Sequence, residues 1–404
     1  MSTSILYHTQ NIIGYVYVRT FYEGGACIFK LRPQSRLVRC PICNNADVQS
    51  RGSVERTIML ISTGTHKNYA RIDVPRIYCQ KCCKLHQIDL RFVEKYRSYS
   101  KSFERYVWEL CRLMTISDVA KHLGVSWDMV KDIHKRHLNY KYGNPSLKDL
   151  NSIAIDEIYN GKKQKYLTIV LNLETGAVVF VGKGKGVDAL SPFWKKLGRR
   201  KKKIKSVAID MSAAYTKAVS ENLPQVMLVY DRFHVIKLYN EKLSDLRRKL
   251  YNETQEIDAK SLLKGMRWLL LKNENNLDDE KGEREHLERA LQANRPLMIA
   301  YYLKEELHRI WDQIDRKGGE AAFDRWLLAA ESSGVTMLDK FAKTLKSHRT
   351  GILNYYEHRI TTGALEGTNA KIRVMQRKAY GFRDEEYLKL KIYALHETKM
   401  RNIS

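Results

Sequence analysis

Residues 151–159 read NSIAIDEIY, residues 204–212 read IKSVAIDMS and residues 225–233 read QVMLVYDRF. In the first two, an alternating apolar run closes on Ile-Asp, which sets Asp156 and Asp210 where a strand leaves a sheet. Ligand and catalytic groups collect at such strand ends in α/β folds. Between them stand KYLTIVLNL (165–173) and AVVFVGKG (177–184), two strand-like runs with a Glu-Thr-Gly turn between them. DALSPFWKKLG (188–198) and AAYTKAVSENL (213–223) read as helices. Three adjacent strands followed by helix–strand–helix–strand describe a mixed α/β sheet over 151–235.

A buried carboxylate is costly unless it is paired or metal-bound. Two from separate strands suit shared divalent cations, which activate a water or a 3′-hydroxyl in phosphodiester chemistry. Either aspartate alone reads first as the cap of the following helix, and it is the pair in matched Ile-Asp contexts that favours a functional site. A third carboxylate stands in TTGALEGTNAKIR (361–373). If Thr362 caps this helix, Glu366 lies near its start, and Asn369 and Arg373 share its face. That face suits a metal and a phosphate, and it equally suits plain solvent. Glu157 adjoins Asp156 but points to the other side of a strand.

Outward from this region the periodicity changes. Residues 236–360 are almost all helical in pattern, with apolar stripes at Leu262, Met266, Leu269 and Leu270 and at Leu303, Leu307, Ile310, Trp311 and Ile314. Thr362 to Met400 reads as helix broken near Gly381. On the amino-terminal side, ISDVAKHLGVSWDMVKDIHKRHL (116–138) reads as a helix-turn-helix. Ser117 caps its first helix, Gly124 permits the turn and Ser126 caps the second. The second helix presents Trp127, Asp128, Lys131, Asp132 and Lys135 toward a DNA groove. YKYGNPSLKD (140–149) is a linker.

Residues 1–90 read as a small β module, from runs such as YVYVRTFYEGGACIFKLRP (15–33) and NYARIDVPRIYC (68–79). Two C-x-x-C pairs, Cys40/Cys43 and Cys79/Cys82, suggest a structural zinc ribbon with S₄ geometry, which would help fold a module with little core. Cys83 or His86 could replace Cys82; Cys27 and Cys111 read as core. Seven cysteines, an odd count without a signal sequence, argue against a disulfide framework.

The 404-residue chain carries 71 Lys and Arg against 45 Asp and Glu, a net +26. That excess calls for a polyanionic partner, with nucleic acid ahead of a membrane surface. The composition is globular, and no apolar stretch approaches the ~20 residues needed to span a bilayer. The densest charge run is KKLGRRKKKIK (195–205), with eight Lys or Arg in eleven residues; within it Arg199, Arg200, Lys201, Lys202 and Lys203 would hold backbone phosphate.

Taken in order, CPIC…CQKC, the helix-turn-helix, IAIDE…YLTIVLNLETG, VAIDMSAAY, YDRFHVIKLYN and ALEGTNAKIRVMQRKAYGF make the chain resemble bacterial insertion-sequence transposases of the ISL-three family. The resemblance covers essentially the whole length. It implies an RNase H-like catalytic core (151–235 and 361–404) interrupted by an all-helical insertion (236–360). A β-rich zinc ribbon (1–95), a helix-turn-helix domain (96–140) and a linker (141–150) precede the core. It puts Asp156, Asp210 and Glu366 on the metal-binding triad, with two Mg²⁺ (Mn²⁺ substituting) as cofactors beside one structural Zn²⁺. Asp231 and His234 match a D-x-x-H signature and would brace the site. Arg373 and Asn369 would contact DNA. Among Trp268, Trp311 and Trp326, none is singled out as the one that meets flanking DNA.

The expected activity is end cleavage and strand transfer on double-stranded DNA, by a homodimer or larger assembly, in the bacterial cytoplasm at the nucleoid. The rival readings are a non-catalytic zinc-containing DNA-binding regulator and an RNase H-like nuclease without strand transfer.

Overall fold

The computed structural model describes residues 5–161 and 166–397. The chain divides into two compact units, Met1–Gly143 and Asn144–Ser404.

The amino-terminal unit holds five strands: β1 (Tyr15–Glu23), β2 (Ala26–Pro33), β3 (Val48–Met59), β4 (Asn68–Cys79) and β5 (Lys84–Gln87). They form one sheet in the order β1-β2-β4-β3, with β5 pairing β4. Alternation along β4 buries Ala70, Ile72 and Val74 together, with Ile58, Leu60 and Ile77 completing the core. The described residues do not open on a strand. Ile5–Gln10 is a short helix, α1, tied down because the Gln10 amide both donates to Ile61 O (3.1 Å) and accepts from Ile61 N (3.0 Å).

Three helices follow: α2 (Lys101–Leu113), α3 (Ile116–Leu123) and α4 (Trp127–Tyr142). The first helix of the helix-turn-helix is capped by Thr115 rather than Ser117, because Asp118 at the third position reciprocates in a capping box. Gly124 takes the left-handed turn at φ +60° and Ser126 caps α4, both as expected. Between α2 and α4, Glu104 pairs with Arg136 and His137, and Trp108 stacks on His137.

The carboxy-terminal unit holds β6 (Ser152–Tyr159), β7 (Tyr166–Asn172), β8 (Val178–Lys183), α5 (Val187–Leu197), β9 (Ser206–Ile209), α6 (Ala213–Asn222) and β10 (Met227–Tyr230). Its sheet runs β10-β9-β6-β7-β8. β6, β7 and β8 are antiparallel neighbours, while β9 and β10 add parallel to β6. A helical stretch follows: α7 (Arg232–Glu253), α8 (Ile257–Gly265), α9 (Glu283–Gln292), α10 (Arg295–His308), α11 (Arg316–Glu331), α12 (Thr336–Ser347) and α13 (Arg349–Leu353). Two helices close the described chain, α14 (Gly363–Lys378) and α15 (Glu385–Tyr393); the expected helical residues 398–400 lie outside the described residues.

The two faces of this sheet are covered differently. Ile153, Ile155 and Val207 share one core with α5, α6 and the helical stretch. Ala154, Ile158 and Ala208 pack with Leu365, Ile372, Leu388 and Ile392 of α14 and α15. Ile314 drops out of its expected stripe and is exposed, because α10 has already ended at His308.

α5 lies so close over β8 that a Cβ at Gly182 would fall on the Ala189 carbonyl oxygen. Gly182→Ala should therefore destabilise the carboxy-terminal unit by about 2–3 kcal/mol, read as a lowered denaturation midpoint.

Candidate functional site

The register of the parallel strands fixes the site. Ala154 of β6 lies beside Ala208 of β9, and Ile209 of β9 beside Tyr230 of β10. Two residues on from Ala154 and Ala208 come Asp156 and Asp210; one on from Ile209 and Tyr230 come Asp210 and Asp231. The three aspartates thus form one row across three adjacent strands, spaced about 4.8 Å per strand. Asp156 shares the parity of Ala154 and Ile158, so it faces α14, while Glu157 turns to the opposite face beside Tyr215. Asp156 does not end its strand as the sequence suggested. The β7 pairing carries β6 on to Tyr159, and Asp156 sits where β9 has stopped beside it.

α14 is laid across this row by two hydrogen bonds. Thr362 N donates to Asp231 Oδ1 (3.1 Å) at one end, and Asn369 Nδ2 donates to Asp156 Oδ2 (2.8 Å) at the other. Seven residues of helix span about 10.5 Å, matching two strand spacings of about 9.6 Å. Glu366 stands between these anchors, on the stretch that bridges the middle strand. Asn369, expected on DNA, is only 3% exposed and orients Asp156 instead.

The charges differ along the row. Burial pushes Asp156 up to about 6, helped by the Asp210 carboxylate and opposed by the Glu157 amide and the His234 charge. Glu366 is also raised, by desolvation and by Asp231. Asp231 is 3% exposed; burial would raise it, but hydrogen bonds from His234 and Thr362 hold it below the usual range. His234 loses by burial and gains more from Asp231 (3.3 Å) and the fields of Asp156 and Asp210, so it is raised. Asp156 and Glu366 therefore lack a compensating cation, and Asp231 already has one.

Ligand atoms of Asp231, His234 and Glu366 lie within 4.8 Å of one another. Among the described residues, Asp156, Asp210 and Glu366, the three carboxylates expected to share ions, do not close into such a group; Glu366 meets Asp231 and His234 instead. The donors suit a hard, partly hydrated divalent ion. Thr362 Oγ1 and Asn369 Oδ1, both buried beside the row, have no protein hydrogen-bond partner.

The second cluster is made of thiols. Cys40 Sγ lies 3.8 Å from Cys82 Sγ, and Cys43 Sγ lies 3.6 Å from Cys79 Sγ. Four sulfurs on one Zn²⁺ at about 2.3 Å stand about 3.8 Å apart, so the set fits zinc. Amide groups of Cys43 and Ile42 draw the Cys40 thiol down to about 6, whereas hydrogen bonding to Cys43 and burial push Cys82 up to about 12. Cys83 is exposed and bonds Gln80 O, and neither it nor His86 belongs to the four.

Of the expected DNA contacts, Trp127 is exposed with Lys131 Nζ 5.2 Å from its ring centre, and Lys135 is half-buried on α4. Asp132 is held by Arg97 and Arg136 and is not offered to a groove. The basic run forms a short 3-10 helix, Gly198–Lys203, on which Arg199, Arg200, Lys202 and Lys203 are exposed. Lys201 is turned inward to Asn222 Oδ1 (3.0 Å). Arg373 is exposed on α14. Trp311 and Trp326 are buried, and Trp268 is exposed with the Arg267 guanidinium over its ring.

A transposase family, the DDE domain of ISL3, matches residues 153–392, and the helix-turn-helix domain of transposase family ISL3 matches residues 88–138. The chain belongs to the ISL3 family of transposases. It is 30% identical to the transposase for insertion sequence element IS1001 of Bordetella parapertussis over 92% of each chain. It is 26% identical to the transposase for IS1557 of Mycobacterium tuberculosis over 91% of this chain and 87% of that one. A Drosophila P element transposase strand transfer complex aligns at 13% identity and a TM-score of 0.34, covering 66% of this chain and 81% of that chain, a likeness too loose to carry weight. No helix among the described residues of this transposase is long and apolar enough to cross a membrane.

Two outcomes are expected. Metal-stripped protein given one equivalent of Zn²⁺ should release protons and melt at higher temperature; Cys79→Ser should abolish both effects and Cys83→Ser neither. Second, Asp156 protonates more readily folded than unfolded, so its penalty on stability is absent below about pH 4, grows up to about pH 6 and is full above it. Without divalent metal, Asp156→Asn should stabilise the protein by about 2–3 kcal/mol at pH 8 and not at pH 4, read by denaturant titration at both pH values.

Proposed function

We propose that this transposase binds the terminal inverted repeats of its element, cleaves them and joins the freed 3′-hydroxyl to target DNA at a centre held by Asp156, Asp210 and Glu366. The observation that carries this reading is the row of aspartates at one level of the sheet with α14 laying Glu366 across it. The raised Asp156 and Glu366 are the acids that gain most from a divalent cation. Asp231 takes the Thr362 amide and His234 and so pins α14 and the imidazole, which supports a bracing role. A pair of Mg²⁺ ions, or Mn²⁺, supplies activation of the attacking oxygen and stabilisation of the leaving one when bound. The sheet order β8-β7-β6-β9-β10, with three antiparallel strands followed by two parallel ones, supports an RNase H-like core, and α7–α13 fit its helical insertion.

The other parts take complementary roles. Zinc on the four cysteines would fix the β module, and α4 would enter the major groove with Trp127, Lys131 and Lys135. Arg199, Arg200, Lys202 and Lys203 would take phosphates, as would Arg373. Of the tryptophans Trp268, Trp311 and Trp326, Trp268 is the exposed one, which supports it as the one that would meet DNA. Two ends cut and joined in concert require at least two copies of the chain.

The test uses pre-cut end DNA, a circular target and Mg²⁺. Wild-type protein should give joined product, and Asp156→Asn, Asp210→Asn and Glu366→Gln should each lose it by at least about a thousandfold while still binding end DNA. Nicking without joined product would favour a nuclease; undiminished activity in the three variants would remove the assigned centre.

A further inference from the structure

A helix that closes on a left-handed residue usually closes on glycine, because a Cβ in that conformation crowds the neighbouring carbonyl. α14 does otherwise. Tyr380 N donates to Arg377 O (3.1 Å) and Gly381 N reaches back to Gln376 O (2.9 Å). Tyr380 takes the left-handed position at φ +52°, and the glycine comes one place later at φ +93°. The tyrosine ring is 99% exposed, so no packing offsets the backbone strain.

The turn itself is anchored. Gln376 Nε2 donates to Asn160 Oδ1 (2.6 Å), and the Phe382 ring lies 5.9 Å from that of Tyr387, against the core under α15. The surface around the tyrosine is basic: Arg373, Arg377, Lys378 and Arg383 are all exposed. An aromatic ring held outward among cations is the composition of a base-stacking site, in which the charges track phosphate and the ring takes a base.

We propose that Tyr380 is a DNA-stacking residue that takes a base of the bound end DNA, holding the strand in register with the carboxylates. The proposal rests on reading α14 as the helix that sets Glu366 at the scissile phosphate. The twelve residues of helix from Glu366 to Lys378 rise about 18 Å at about 1.5 Å each, and Tyr380, two residues past the end, stands roughly 20 Å from Glu366. Along a strand at about 3.4 Å per nucleotide that is about six nucleotides from the cut.

The test uses the full-length, zinc-loaded protein with end DNA. Tyr380→Gly relieves the strain, so it should melt no lower than wild type, while cleavage and joining fall roughly tenfold or more. Tyr380→Trp and Tyr380→Phe should keep most of the activity. Permanganate reactivity of thymines placed one at a time along the first ten or so nucleotides reports unstacking directly. A reactive thymine near the sixth position should be present in wild type and Tyr380→Trp and absent in Tyr380→Gly. Wild-type activity and an unchanged permanganate pattern in Tyr380→Gly would overturn the proposal, as would a lowered melting temperature, which would make the ring structural. The footprint needs binding alone. If Asp156→Asn proves fully active, the assignment of the carboxylate centre fails while the stacking result still stands or falls by its own pattern.

Discussion

Like charges gathered at the ends of buried parallel strands repel, and the carboxy-terminal unit is arranged around that repulsion. Asp156, Asp210 and Asp231 share one level because β6, β9 and β10 run parallel in a register that no side chain can alter without sliding the core. Water cannot screen them fully on the face closed by α14. The protein answers with three devices: the Thr362 amide, the Asn369 side chain and the His234 imidazole. The first and third satisfy Asp231, while the second, a neutral amide on Asp156, leaves Asp156 and Glu366 short of positive charge. An unfilled demand for cation at such a cluster is what supports reading it as a metal site.

The helical stretch contributes from a distance. It enters through α7, whose first residues carry His234 and whose later residues, Tyr239 and Leu243, belong to the same core as the sheet. Tyr239 donates to Ala300 O (2.6 Å) and packs against Trp326 and Phe341. The position of His234 is thereby set by helices up to a hundred residues away in sequence. A buried lysine, Lys304, donates to the carbonyls of Leu270 (2.9 Å) and Lys272, and so holds the turn that displays Trp268. The helical stretch therefore belongs to one compact unit with the sheet.

Much of this was legible in the residues. Ile-Asp at the close of two alternating runs marked Asp156 and Asp210, and the C-x-x-C pairs marked the thiol cluster because two ligands three apart must meet. The helix-turn-helix declared itself through Gly124 and Ser126. What escaped depended on long-range register. Asp231 reads from sequence as one residue of a motif, and only the pairing of β9 with β10 shows it level with Asp210. Asn369 shares a helical face with Glu366, as the periodicity said, but spacing does not tell which of the two looks inward. α1 was missed because it is tied down by Gln10 bonding the backbone of Ile61, just past β3 and 51 residues on. Apolar runs alone do not reveal such a tertiary tie.

The order of the elements along the chain has a consequence for synthesis. Asp231 leaves the ribosome 131 residues before Thr362, the amide that anchors α14 to it. A product that stops anywhere in the helical stretch lacks α14, with Leu365 and Ile372 missing from one face of the sheet and Asp231 and Asp156 without their Thr362 and Asn369 donors. Premature termination in that span thus yields a sheet with one of its two covering layers absent.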